Sequence, residues 1–242
     1  MTASELYGWL VTSCHRPPAR GSLAAAAAAA LYAFELTVSA GAVRRNENCY
    51  INRVIATEYL NRHWRPCLAL ANFNLSLCFQ SCDEVLGGDV PTVDHLAKLS
   101  YTRMVLEEVL RLYPPAWIFG RKAIANDEIG GYFIPANSII VLSPYITHRH
   151  PAFWEHAEVF NPERFAPEQA AGRPHFAYFP FGGGPRICIG NNFALMEIQL
   201  VLATIAQHYR LRLVPGHPVE PEALLSLRPR SGLPMTLQRR SI

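Results

Sequence analysis

Cys188 is the residue in this chain whose type and setting are best suited to chemistry. It lies in Phe181-Gly-Gly-Gly-Pro-Arg-Ile-Cys-Ile-Gly190, a glycine-rich loop that runs straight into an amphipathic helical stretch. Arg186 stands two residues before it and Gly190 two after. The positive end of the helix dipole and the Arg186 charge both favour a thiolate at this position. Glycines remove bulk where a backbone must turn sharply or lie against a flat object. A thiolate presented in this way is suited to ligate haem iron from one side. Two other readings apply to the same residues. A free cysteine is often a small buried hydrophobe, and a glycine run before a helix can cradle phosphate. The phosphate reading lacks both the G-K-[ST] ending and the G-x-G-x-x-G spacing that give such loops their chemistry.

Other elements must hold this loop. Tyr101 to Leu112 reads as a helix ended by Pro114-Pro115, since proline disfavours helix at its own and the preceding position. Glu108 and Arg111 lie three apart and share one side with Met104, while Val105, Val109 and Leu112 are apolar neighbours. The spacing predicts an inward-facing ion pair, and a buried carboxylate requires a hydrogen-bonding cation. A solvated pairing of Glu107 with Arg103 or Arg111 is the other reading, and it leaves Glu108 on the wrong face. Pro91-Thr92 is expected to open a short helix to about Leu99, with Thr92 as N-cap. Ala116–Ala123 reads as a strand that Gly130-Gly131 turns toward Tyr132-Phe-Ile134, followed by a strand over Ile139–Leu142. A long helix is expected over Asn191–Tyr209, with strands over Leu211–Val214 and within Leu225–Leu237. His148, His150 and His156 show no helical pairing with a third ligand and read as surface or capping residues.

The loop carries F-x-x-G-x-R-x-C-x-G with all five fixed residue types met. In this it resembles the haem-binding loop of the cytochrome P450 family. The resemblance implies a thiolate bond from Cys188 to the iron of haem b. It also implies that Phe181, Gly182, Gly184 and Gly190 let the loop lie against the porphyrin, and that Arg186 and Arg121 neutralise propionates. The E-x-x-R of Glu108 and Arg111 resembles the family's helix motif, which is completed by an arginine from a later meander; here that residue is Arg164, in Phe160-Asn-Pro-Glu-Arg-Phe165. Their implied role is structural. Ala116, Ile118 and Phe119, with Leu225 and Ser226, fall where the family's substrate pocket is commonly lined.

The implied fold is mainly α with small β-sheets, an α+β arrangement corresponding to the C-terminal half of the family fold after an irregular N-terminal segment. Residues 83–242 are expected to form the haem-thiolate portion, and residues 1–82 an atypical segment. The implied reaction inserts one atom of O2 into a small apolar substrate. Its electrons come from NAD(P)H through a reductase or ferredoxin. The family's distal acid-and-threonine pair is not found: Ile55-Ala56 precede Thr57 without the expected Gly and acidic residue. The chain therefore reads as a truncated member, whose alternative role is a non-catalytic haem-binding or scaffold fragment.

Whole-chain properties bound these readings. Half of the 242 residues are apolar, enough for a substantial core, and the net charge of only +3 argues against nucleic acid as a partner. Cys14, Cys49, Cys67, Cys78, Cys82 and Cys188 lack paired zinc spacing; Cys78 and Cys82 read as core or surface thiols, and nothing demands an oxidising compartment. Residues 23–43 are mostly apolar, include Ala24–Ala30, and are interrupted by Glu35. With flanking Arg20, Arg44 and Arg45 they suit either weak membrane contact or a low-complexity leader.

Overall fold

The computed structural model of the chain describes residues 76–240. The expectations for residues 23–43, for Thr57 and for Cys14, Cys49 and Cys67 lie outside the described residues. The described chain is mixed helix and small antiparallel sheets, as expected. Its helices are α1 (Ser76–Leu86), α2 (Ser100–Leu112), α3 (Pro144–Thr147), α4 (Pro167–Ala170) and α5 (Asn191–His208). Its strands are β1 (Phe119–Lys122), β2 (Asp127–Ile129), β3 (Tyr132–Ile134), β4 (Ile139–Leu142), β5 (Tyr209–Leu213), β6 (Pro221–Ala223), β7 (Leu227–Pro229) and β8 (Met235–Arg239). Among the described residues no helix is long and apolar enough to cross a membrane. The change of character expected at Asp83 falls inside α1.

The described residues divide into two compact units, one holding 76–103 with 193–218 and 232–240, the other 104–192 with 219–231. In the first unit α5 supplies the centre: its residues from Gln199 to Gln207 are buried without a break. A helix buried on every side must satisfy its polar side chains internally. Gln199 does so by donating to the carbonyls of Leu96 and Leu99, at 3.2 and 2.9 Å; Gln207 donates to that of Asp89, while its Oε1 finds no partner among the described residues. Cys78 and Cys82 of α1 are core thiols, both fully buried, and their sulphurs lie 3.8 and 3.7 Å from Thr102 Oγ1. The adjoining Cys82 sulphur and burial hold the Cys78 thiol well above its ordinary range. β5 and β8 pair antiparallel, Tyr209 opposite Arg239, and the alternate burial of Tyr209 and Leu211 follows the strand period of two. Arg240 then closes on α1 through both oxygens of Asp83.

The expected helix from Thr92 to Leu99 is only a single 3₁₀ turn, Val93–His95. Thr92 is its N-cap, as expected, and the His95 Nδ1 accepts the Thr92 N–H at 3.0 Å in a capping box; beyond it the chain continues in turns, with the N–H groups of Lys98 and Leu99 both donating to the His95 carbonyl.

In the second unit the small sheets follow the sequence with one change of partner. The strand read over Ala116–Ala123 is confined to β1, and it pairs with β4, Phe119 opposite Leu142 and Arg121 opposite Ile140. Gly130-Gly131 instead closes β2 onto β3, with Ile129 opposite Tyr132. Both glycines have positive φ, the conformation that a two-residue hairpin turn requires.

Candidate haem site

Cys188 is exposed, and its backbone is fixed from both sides. Its N–H donates to the Phe181 carbonyl at 3.0 Å, and its own carbonyl accepts the Asn191 N–H at the first residue of α5. Within the loop, Gly182 N–H reaches the Phe179 carbonyl at 3.0 Å, and Gly184–Arg186 form one 3₁₀ turn. Gly182 and Gly184 have φ of 75° and 68°, a region that L-residues with a β-carbon enter at a cost of about 1–2 kcal/mol. Nothing lies within 4 Å of a β-carbon built on Gly184. Gly184→Ala is therefore expected to destabilise the chain by about 1–2 kcal/mol through backbone strain alone, read as a lower urea midpoint with an unchanged slope.

The donor chemistry of the site fits a haem. Ile187 and Ile189 flank Cys188 in sequence and are 49% and 103% exposed. Apolar groups of this size beside an open thiol make a seat for a flat apolar body. A β-carbon on Gly190 would lie 3.9 Å from the Cys188 sulphur, so glycine there leaves that approach open. Arg186 is exposed.

Strand β1 comes up against the loop. The Phe119 ring lies 3.8 Å from where a Gly182 β-carbon would sit and meets Phe179 edge-on at 6.1 Å. Arg121 lies two residues along the strand, hence on the same face. Its guanidinium sits over the Phe119 ring at 4.9 Å and donates to the neighbouring Gly120 carbonyl. The structure also brings the two expected substrate segments together. Trp117 Nε1 donates to the Leu224 carbonyl at 2.7 Å, and Leu227 N–H donates to that of Pro115 at 3.0 Å. Between these ties lie Ala116, Leu225 and Ser226, with Ile118 one residue beyond Trp117; all four are exposed, Leu225 fully so.

Behind the loop, Glu108 and Arg111 of α2 are fully buried and bidentate. Arg111 Nε donates to Glu108 Oε2 at 2.6 Å and Nη2 to Oε1 at 2.8 Å. Nη1 continues to the carbonyls of His148 and Ala157, at 2.8 and 2.7 Å. Glu108 Oε1 also accepts the Asn161 N–H. Arg164 approaches that same oxygen only to 3.6 Å, and its Nε makes no hydrogen bond. Two donors already occupy the two lone-pair sites of Oε1, so Arg164 contributes charge rather than a bond and turns Nη2 to the His156 carbonyl.

The surface reading of His148 is corrected. His148 is the C-cap residue of α3 yet has no solvent exposure. Its Nδ1 lies 3.2 Å from the Arg111 carbonyl and its Nε2 accepts the Phe179 N–H at 2.9 Å. Burial lowers its pKa to about 3. The signal in the sequence is Ser143-Pro144, a cap and first-turn proline that place His148 at a helix end. The residues that enclose it, Tyr178 and Phe179, are distant in sequence. Trp154 likewise carries no local signal of its role: it is buried, donates to the Ala177 carbonyl and lies 5.0 Å from the Arg111 guanidinium.

The described residues thus combine an exposed glycine-loop thiol with a buried Glu–Arg pair. The chain belongs to the cytochrome P450 family, whose family model matches residues 76–234. Among curated relatives it is 43% identical over 145 residues to cyclooctatin synthase of Streptomyces melanosporofaciens, covering 60% of this chain and 32% of that protein. It is 40% identical over 162 residues to human cytochrome P450 4V2, covering 66% and 31%. Among solved structures it resembles cytochrome P450 CYP102L1 with a TM-score of 0.68 and 30% identity, over 74% of this chain and 42% of that one. It is also similar to retinoic acid-bound cyanobacterial CYP120A1, with a TM-score of 0.67 and 32% identity over 73% and 41%. The chain spans about a third of the length of the curated relatives it matches.

Proposed function

We propose that this chain is the haem-binding portion of a haem-thiolate monooxygenase, with Cys188 as the iron ligand. The observation that carries this reading is the exposed thiol, fixed at the start of α5 through Phe181 and Asn191 and flanked by exposed Ile187 and Ile189. Bound at this site, haem b supplies the oxidising chemistry, and a thiolate ligand favours O–O cleavage. The chain's own residues bind and orient. Gly182, Gly184 and Gly190 allow close approach of the backbone, and Phe181 contributes apolar contact. Arg121 and Arg186 neutralise the propionates. Glu108, Arg111 and Arg164 fix the meander behind the loop. Ala116, Ile118, Phe119, Leu225 and Ser226 offer a small apolar substrate one wall of its pocket. Reducing equivalents come from NAD(P)H through a reductase or ferredoxin.

A second reading is a haem-binding chain that does not turn over. The full exposure of Leu225, on the proposed substrate wall, favours it, because an oxidation site must exclude water. The test is the absorption spectrum of the full chain loaded with haemin, reduced and exposed to carbon monoxide. A strongly red-shifted Soret band that Cys188→Ala abolishes is the expected result. No haem uptake by the unsubstituted chain would overturn both readings, while substrate oxidation with a supplied electron donor separates the first from the second.

A further inference from the structure

A series of hydrogen bonds leads from the buried ion pair to the backbone amide of Cys188. It starts at Arg111, whose Nη1 donates to the His148 carbonyl at 2.8 Å while the His148 ring returns to the Arg111 carbonyl at 3.2 Å. From the other side of the ring, Nε2 accepts the Phe179 N–H at 2.9 Å. The Phe179 carbonyl then accepts from Gly182, and the Phe181 carbonyl from Cys188, both at 3.0 Å. We propose that His148 is a positioning residue for the Cys188 loop, setting where the loop departs by linking the Arg111 carbonyl to the Phe179 amide. The inference rests on the reading of that loop as the haem seat.

The chemistry of the two partners fixes the state of the ring. A backbone N–H can only donate, so Nε2 must be the acceptor and Nδ1 must carry the proton given to the Arg111 carbonyl. Only the neutral Nδ1–H tautomer satisfies both. The rings of Tyr178 and Phe179 lie against it, at 5.1 and 5.4 Å between centroids, and hold its plane. The peptide unit at Phe179 is therefore fixed both by a bond and by packing, directly before the chain turns through Gly182.

Amide hydrogen exchange of the full chain, resolved to single residues, tests this. His148→Gln keeps one donor and one acceptor, whereas His148→Leu keeps neither. The leucine variant is expected to speed exchange at Phe179, Gly182 and Cys188 on the order of tenfold. The glutamine variant should stay near wild type, and the amides of α5 should not change in either. After haemin loading, the leucine variant should also lose intensity in the red-shifted carbon monoxide band, and glutamine should rescue it. If leucine does not fold, His148→Asn makes the same comparison, since its shorter amide reaches the Arg111 side alone. Unchanged exchange at the three amides overturns the proposal. So does an even rise across the chain that glutamine matches. If the exchange pattern holds but wild type takes up no haem, the haem reading fails and the positioning role stands.

Discussion

Arg111→Leu is expected to cost about 3–5 kcal/mol of folding stability, because it leaves the Glu108 carboxylate buried without its cation. That is a large share of the roughly 5–15 kcal/mol that holds a typical domain folded. The side chain it removes serves more than the ion pair. Besides both Glu108 oxygens, Arg111 satisfies the carbonyls of His148 and Ala157, and no leucine can donate to them. Urea denaturation followed by circular dichroism measures the loss. The double variant Glu108→Leu/Arg111→Leu separates the two contributions. Removing both charges should recover part of the stability, since an unpaired buried charge costs more than an absent pair. Recovery should stay incomplete, because the Asn161 N–H that Glu108 accepts and the two carbonyls remain unsatisfied. A single variant within about 1 kcal/mol of wild type, the size of an ordinary surface effect, would show that the pair is solvated.

The second large effect is on acid stability. His148 ionises near pH 6.5 when exposed but only at about 3 in the folded chain, chiefly through burial. The cationic Arg111 and Arg149 add to that lowering, while the hydrogen bond to the Arg111 carbonyl opposes it. On α2 Glu108 is committed to Arg111, and beyond α3 Glu158 is committed to Arg149. Between these two pH values the unfolded chain binds a proton that the folded chain does not. Stability from this group is therefore fully present above pH 6.5 and falls as pH is lowered toward 3, by about 1.4 kcal/mol per pH unit. Carboxylates add their own titration at the acid end, so the clean window is pH 6.5 to 5, where about 2 kcal/mol should disappear. Denaturation midpoints of wild type and His148→Gln, measured through that window, give the difference. The wild-type slope should be steeper, and parallel curves would contradict a neutral buried ring.

These two residues also show where sequence reading succeeds and where it stops. Glu108 and Arg111 are legible because three positions on one helix fix their relation whatever else the fold does. The Cys188 loop is legible for a similar reason: glycine, arginine and cysteine types occur within ten consecutive positions. His148 is not, because its burial is made by Tyr178 and Phe179, about thirty residues further along, and no local period reports that. The sheets fail in the same way. Gly130-Gly131 signals a turn, but its strands are β2 and β3, and β1 pairs instead with β4. A turn signal identifies a reversal without naming the strand it reverses. Arg164 lies between these cases. Its approach to Glu108 followed from the resemblance, yet Asn161 takes the lone pair that a third hydrogen bond would need.

X-ray absorption at the iron edge of the haemin-loaded chain addresses the central claim most directly, since it reports the atoms bonded to the metal. The account predicts a sulphur neighbour of iron in the unsubstituted chain, and its replacement by nitrogen or oxygen alone in Cys188→Ala. A first shell without sulphur in the unsubstituted chain, or a sulphur that survives the alanine substitution, would contradict it.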